Sequence, residues 1–133
     1  MADAFHLQII SPAKVVIDAY VPMVEVPGVE GDFGVLPGHA PVFSMLRPGV
    51  ITVQLGDGVE RRFFAATGYA DVSPTQCTVL SDHISDLADM TMAEAEEALV
   101  AARKALADAD NDADRLAAEQ LVMIGELLLA ALQ

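Results

Sequence analysis

From Phe5 to about Ser81 the apolar residues either alternate with polar ones or come in short β-branched runs, as in HLQII, KVVIDAYV, MVEV, GVITVQL, RRFFAA and CTVLS. Both patterns predict strands rather than helices. In GVITVQL, Ile51, Val53 and Leu55 fall on one face and Thr52 and Gln54 on the other, the signature of a sheet that covers a core on one side. The tripeptide Gly56-Asp57-Gly58 predicts a hairpin turn. Short strands separated by turn signals in this way predict an antiparallel sandwich or a flattened barrel.

After Asp82 the pattern changes period. Proline is absent, glycine is nearly so, and alanine, leucine and glutamate dominate, which is helical composition. Thr91 followed by Glu94 predicts a capping box at the start of a first helix running to about Ala107. Met92, Ala95, Leu99, Ala102 and Leu106 step by three and four residues along it, giving a narrow apolar seam. Beyond the acidic connector DADNDAD, Ala117, Leu121, Ile124, Leu128 and Ala131 predict a second seam, so the two helices are expected to form an antiparallel hairpin. Leu127, Leu129 and Leu132 lie outside that seam and require a further surface, either the sandwich or another protein. The expected organisation is thus residues 1–86 as the β unit and 87–133 as the helical hairpin, the latter held less securely because it has little core of its own.

One segment between the strands stands apart. GVEGDFGVLPGHAP, Gly28 to Pro41, carries four glycines and two prolines in fourteen residues. An ordinary connection is about 4 to 6 residues long and needs fewer conformational punctuators, so this run is expected to be a shaped contact loop presenting Glu30, Asp32 and His39.

Composition narrows the chemistry. The 133 residues carry a formal charge of −13, from 20 acidic and 7 basic side chains, which argues against nucleic acid as a partner. The longest apolar stretch, Leu121 to Leu132, is interrupted by Gly125 and Glu126 and is too short to span a bilayer. The single Cys77 excludes an internal disulfide, and its strand setting reads as buried and unreactive. Asp108, Asp110, Asp112 and Glu119 fall at positions 1, 3, 5 and 12 of a calcium loop, but Ala113 stands where that loop needs glycine and Arg115 adds positive charge. A solvated turn whose Asp112 or Asp114 caps the second helix is the better reading. A freestanding acidic module with a calcium-responsive hairpin is kept as the alternative. His6, His39 and His83 are scattered without a thiolate companion, and neither a phosphate loop nor a nucleophile elbow is present. Catalytic, cofactor and metal residues are therefore expected to number none.

The loop, the opening FHLQIISP, the later RPGVITV, FFAATGYADV and CTVLSD together resemble the epsilon subunits of bacterial F-type ATP synthases, over essentially the whole chain. The resemblance implies an N-terminal antiparallel β-sandwich followed by a C-terminal α-helical hairpin. It also implies a noncatalytic part in the central stalk, where the sandwich binds the gamma subunit and the c-subunit ring and couples proton-driven rotation to ATP synthesis. Such a subunit sits on the cytoplasmic face of the bacterial inner membrane, peripherally and through the complex. By the same resemblance Glu30, Gly31 and Asp32 face the c ring, with Asp32 available to a basic or amide group there, and His39 and Pro41 contact gamma or the ring. In the family the C-terminal helices also extend along gamma to the alpha and beta subunits of the catalytic head and inhibit hydrolysis, often through basic residues. Here residues 87–133 carry ten acidic and three basic side chains, so weak or absent inhibition is expected. The family's ATP motif corresponds to Met90 through Ala95, with Thr91 in place of its aspartate and Glu94 in place of its arginine, and no nucleotide binding is expected.

Overall fold

Alternation along the strands becomes burial on one side. In β1 (Phe5–Ile10) the side chains of Phe5, Leu7 and Ile9 are buried while His6, Gln8 and Ile10 are only partly covered, the period of two that a one-sided sheet imposes. The structure is a computed structural model that describes residues 3–133, and it divides into two compact units with the boundary between Asp86 and Leu87.

The first unit is a two-sheet sandwich. Its strands are β1, β2 (Val15–Val21), β3 (Met23–Gly28), β4 (Gly31–Val35), β5 (Val42–Met45), β6 (Gly49–Gly56), β7 (Val59–Ala65), β8 (Tyr69–Val72), β9 (Gln76–Leu80) and β10 (Ile84–Asp86). One sheet has the order β2-β1-β9-β8-β5 and the other β10-β7-β6-β3-β4. Every pairing is antiparallel except β1 with β9, which runs parallel from His6↔Gln76 to Ile10↔Leu80. Between the sheets lies one core that includes Leu7, Ile9, Val24, Val26, Ile51, Val53, Phe63, Val72, Cys77 and Val79.

Within the sandwich, two details depart from the reading of the sequence. Leu55, expected on the core face with Ile51 and Val53, is 38% exposed. The β6–β7 register shifts between Gln54 and Gly56, and such an irregularity breaks the period-two alternation just before the turn. That turn is as expected, with Asp57 at φ 56° and Gly58 at φ 76°, the backbone a tight Asp-Gly hairpin needs. The second departure is in the loop: Gly28 to Pro41 contains a strand, β4, rather than uninterrupted turns.

In the second unit, α1 (Met92–Asp108) and α2 (Asp112–Leu132) follow a single 3-10 turn at Leu87–Asp89. Only the N-cap half of the capping box forms: Thr91 Oγ1 accepts from the Glu94 amide at 3.1 Å, while the Thr91 hydroxyl, rather than its amide, donates to Glu94 Oε1 at 3.1 Å. The α1 seam buries Ala95, Leu99 and Ala102. On α2 the buried line is rotated by one position: Ala118 and Gly125 are buried, whereas Ala117 and Leu121 of the expected seam are exposed. A methyl group on Gly125 would lie 3.1 Å from Leu99 Cδ1, so glycine lets α2 close onto Leu99. Helix two is capped by Asn111, whose Oδ1 accepts from the Asp114 amide at 2.8 Å, and not by Asp112 or Asp114. Both of those lie in its first turn, where negative charge favours the helix dipole.

This also removes the calcium alternative. Residues 112 onward are helical, so Asp112 and Glu119 project from α2 instead of wrapping a twelve-residue loop.

Candidate functional site

The distinctive surface of the sandwich is built on the β3–β4 hairpin. Val26 pairs with Phe33, Pro27 with Asp32 and Gly28 with Gly31, which leaves Val29 and Glu30 as the two-residue tip. Each flanking glycine is required for a different reason. A Cβ on Gly28 would meet the Gly31 carbonyl oxygen at 2.8 Å, and Phe33 Cε1 and Ser44 Oγ at 3.0 Å. Gly31 has open space around it but sits at φ +135°, a region that side chains rarely adopt.

The hairpin is joined to the end of β5 in the other sheet. Gly28 bridges Leu46, the Val29 amide donates to the Met45 carbonyl at 2.9 Å, and the Arg47 amide donates to the Pro27 carbonyl at 3.0 Å. β4 and β5 are edge strands of their respective sheets, and between them opens a groove of about 570 Å³. Glu30, Gly31, Asp32 and His39 all line it. Pro41 leads into β5 beside the groove and is not among its lining residues.

Apolar side chains dominate what the groove presents. Val29 is 54% exposed, Phe43 60% and Met45 51%, and all three line the groove. Phe43 stacks obliquely on Tyr69 with ring centroids 5.0 Å apart. His39 is fixed by its own segment: its amide donates to the Leu36 carbonyl at 3.1 Å, and Nδ1 donates to the Ala40 carbonyl at 2.7 Å. That bond leaves Nε2 as the acceptor of the neutral ring. Asp32 is committed inside the chain, because Arg47 Nη2 donates to its Oδ1 at 2.5 Å. One oxygen of Asp32 is thus engaged within the chain, while its side chain remains 52% exposed.

Reading the sequence missed Arg47, Phe43 and Met45 as site residues. For Phe43 and Met45 the only signal is the exposed position of bulky apolar groups on a four-residue strand, visible only once the register with β8 is known, and for Arg47 it is a partner fifteen residues away.

Elsewhere on the sandwich, titratable groups are arranged for structure. The Cys77 thiol is pushed up to about 12 by burial, with the Asp71 charge adding to it, so it is no nucleophile. Hydrogen bonds from His6 and then Gln8 hold the Asp18 carboxyl below its ordinary range. The His6 contact is 2.5 Å long, and the ring stacks on Tyr20. Among the described residues no group of three or more His, Cys, Asp or Glu side chains could hold a metal ion, and no helix is long and apolar enough to cross a membrane.

Residues 4–86 match the family model for the ATP synthase, Delta/Epsilon chain, beta-sandwich domain. The chain is also 42% identical over 131 residues to the ATP synthase epsilon chain of Rhodospirillum rubrum, an alignment covering 98% of each protein. The chain belongs to the ATP synthase epsilon family. Another epsilon chain, from Paramagnetospirillum magneticum, is 40% identical over 131 residues and again 98% of each. The fold of this epsilon-family chain recurs in a chain of the Euglena gracilis mitochondrial ATP synthase OSCP/F1/c-ring structure. There the TM-score is 0.86 at 23% identity, covering all of this chain and 84% of that one. In the Tetrahymena thermophila mitochondrial ATP synthase central stalk/c-ring structure, a chain matches with TM-score 0.69 at 14% identity, covering 97% and 96%. Of the residues expected to make contacts in this epsilon-family chain, Glu30, Gly31, Asp32 and His39 line the groove between β4 and β5 and Pro41 does not.

Proposed function

We propose that this protein is a noncatalytic rotor subunit of an F-type ATP synthase, attached by its sandwich to the gamma subunit and the c-subunit ring. It carries torque between proton-driven ring rotation and ATP synthesis, and it lies peripherally at the cytoplasmic face of the membrane through the complex. The observation that carries this reading is the groove itself: four of the five contact residues implied by the family line one cleft, rimmed by exposed Val29, Phe43 and Met45. Burial of those apolar groups supplies most of the attachment, since an exposed ion pair contributes only about 0 to 1 kcal/mol. Glu30, Gly31 and Asp32 belong to the ring side of the cleft, and His39 and Pro41 to the side of gamma or the ring.

The helical hairpin brakes hydrolysis weakly or not at all. Residues 87–133 have a formal charge of −7, and α2 carries no base beyond Arg115, so an acidic target on the catalytic head repels it. The test is the ATP hydrolysis rate of an epsilon-depleted catalytic head containing gamma, titrated with the full chain and with a version ending at Asp89. Both are expected to bind, with equal rates at saturation. Failure of either to bind gamma removes the rotor assignment of the sandwich, and slower hydrolysis with the full chain alone removes the charge argument.

A further inference from the structure

The boundary between the two units falls immediately after one member of an ion pair. β10 is the outermost strand of its sheet and pairs with β7 alone, through Ile84↔Ala65, Ser85↔Phe64 and Asp86↔Phe63. None of its residues is fully buried, and its one apolar side chain, Ile84, packs partly covered against the core. Ordering a strand this short costs backbone entropy that a ladder on one side barely offsets. Its two ends are held differently. Before it, Ser81 is buried, and the Ser81 hydroxyl and the Ala66 amide each donate to the His83 carbonyl at 3.0 Å. At its far end the hold is electrostatic: Arg61 Nη2 donates to Asp86 Oδ2 at 2.7 Å.

Arg61 stands on β7 two residues before Phe63, the register partner of Asp86. It therefore reaches diagonally across the ladder, a span open to a long side chain. Its guanidinium carbon lies 4.9 Å from the centre of the Phe63 ring, a cation–π contact that ties the fork to a core residue. Asp86 is 19% exposed, against 52% for both Asp18 and Asp32. A pair with one sheltered carboxylate is screened less than those two and is harder to break. Beyond Asp86 the chain makes one 3-10 turn, in which the Met90 amide reaches the Leu87 carbonyl at 3.4 Å, and then meets the Thr91 cap of α1. That short, weakly bonded link lies between a fixed strand and a capped helix, where backbone rotation is least opposed.

We propose that Arg61 and Asp86 clamp the end of β10, so that opening of residues 87–133 turns at Leu87–Met90 and stops before the sandwich. The inference rests on the rotor reading, in which the sandwich is the attachment domain: a clamped β10 keeps that domain whole when the hairpin opens.

Amide hydrogen exchange of the full chain, read by mass spectrometry on a peptide covering residues 82–86 and on peptides from β1, β6 and α1, tests it. L99A, which loosens the hairpin, is the background. With the clamp intact, L99A is expected to speed exchange in the α1 peptide and to leave the 82–86 peptide at its wild-type rate. In R61Q/L99A and D86N/L99A that peptide is expected to exchange about five- to thirtyfold faster than in L99A, between the effects of an exposed and a buried pair. The β1 and β6 peptides keep their wild-type rates. The reversed pair R61D/D86R in the same background is expected to restore slow exchange, and R61K, which keeps the charge without the planar fork, to fall between. An unchanged 82–86 rate in R61Q/L99A and D86N/L99A overturns the proposal, as does acceleration there in L99A alone. A reversed pair no slower than the single changes, or equal acceleration throughout the sandwich, overturns it too. Binding of the wild-type chain to an epsilon-depleted catalytic head with gamma is read separately, and failure there removes the rotor reading while the clamp is still decided by exchange.

Discussion

Gly28→Ala tests whether the hairpin tip is as tightly built as its geometry states. The added methyl would lie 2.8 Å from the Gly31 carbonyl oxygen and 3.0 Å from both Phe33 Cε1 and Ser44 Oγ. The last two are side-chain atoms and can swing away. The carbonyl belongs to the backbone of the turn, so relief there requires the Gly28–Gly31 pair to open. Overpacking of this kind costs about 1 to 3 kcal/mol, and no gain in backbone entropy of the unfolded chain, at about 0.4 to 1 kcal/mol, compensates for it. The net expectation is a loss of about 1 to 2 kcal/mol, which lowers the urea midpoint by roughly 0.5 to 1 M for a slope of about 2 kcal/mol/M. Equilibrium urea unfolding of the full chain, followed by far-ultraviolet circular dichroism at strand wavelengths, measures it. The same variant is expected to lose affinity for the ring-bearing complex, because the tip moves even where the core survives. A midpoint within 0.2 M of wild type would mean that the turn yields freely, and the argument for a preformed docking surface would fail with it.

Three further outcomes follow from other parts of the chain. Cys77, with its thiol raised to about 12 by burial and the Asp71 charge, has only about one part in ten thousand thiolate at pH 8, so an aromatic disulfide reagent is expected to label it only after unfolding, and rapid native labelling would refute its burial. The Asp18 carboxyl is depressed by hydrogen bonds from His6 and Gln8, so its contribution to stability is present above the ordinary carboxylate range and is lost as the pH falls through its folded value. D18N is therefore expected to be less stable than wild type near neutrality, with the gap closing in strong acid, and a gap that persists there would point to packing instead. Leu99, 4% exposed and seated against Gly125, is expected to cost about 2 to 5 kcal/mol when cut to alanine. Hydrogen exchange of the α1 and α2 amides should accelerate while the sandwich amides keep their protection, and uniform acceleration would refute the independence of the two units.

How much of this was legible in the sequence depended on whether a residue's role was local. The Thr91 cap on the Glu94 amide and the Asp57-Gly58 turn were readable because each is decided within four residues. Strands β4 and β5 were not. GDFGV carries two glycines and an aspartate, poor strand formers, and it is extended only because the hairpin pairs it with β3; VFSM is four residues long and takes its register from β8. Hence Phe43 and Met45, which dominate the groove, had no signal in the pattern. The rotated seam of α2 has a related cause. Scoring large apolar residues at steps of three and four selected Leu121, Ile124 and Leu128, but helix pairing is set by closest approach, and a glycine at 125 opposite Leu99 brings the backbones together. The line through Ala118 and Gly125 was invisible to hydrophobicity because the residues that permit contact are the small ones.

Asp32 shows the same limit in electrostatic form. Its charge and its place in the loop were plain, and a ring-facing role followed from the family. Its partner fifteen residues away was not, because the pairing exists only when the β3–β4 hairpin and the segment before β6 meet at the Gly28–Leu46 bridge. A surface carboxylate cannot be assigned to an intermolecular contact until the cations of its own chain have been placed. Here the cation is Arg47, whose guanidinium already donates to one oxygen of the Asp32 carboxylate.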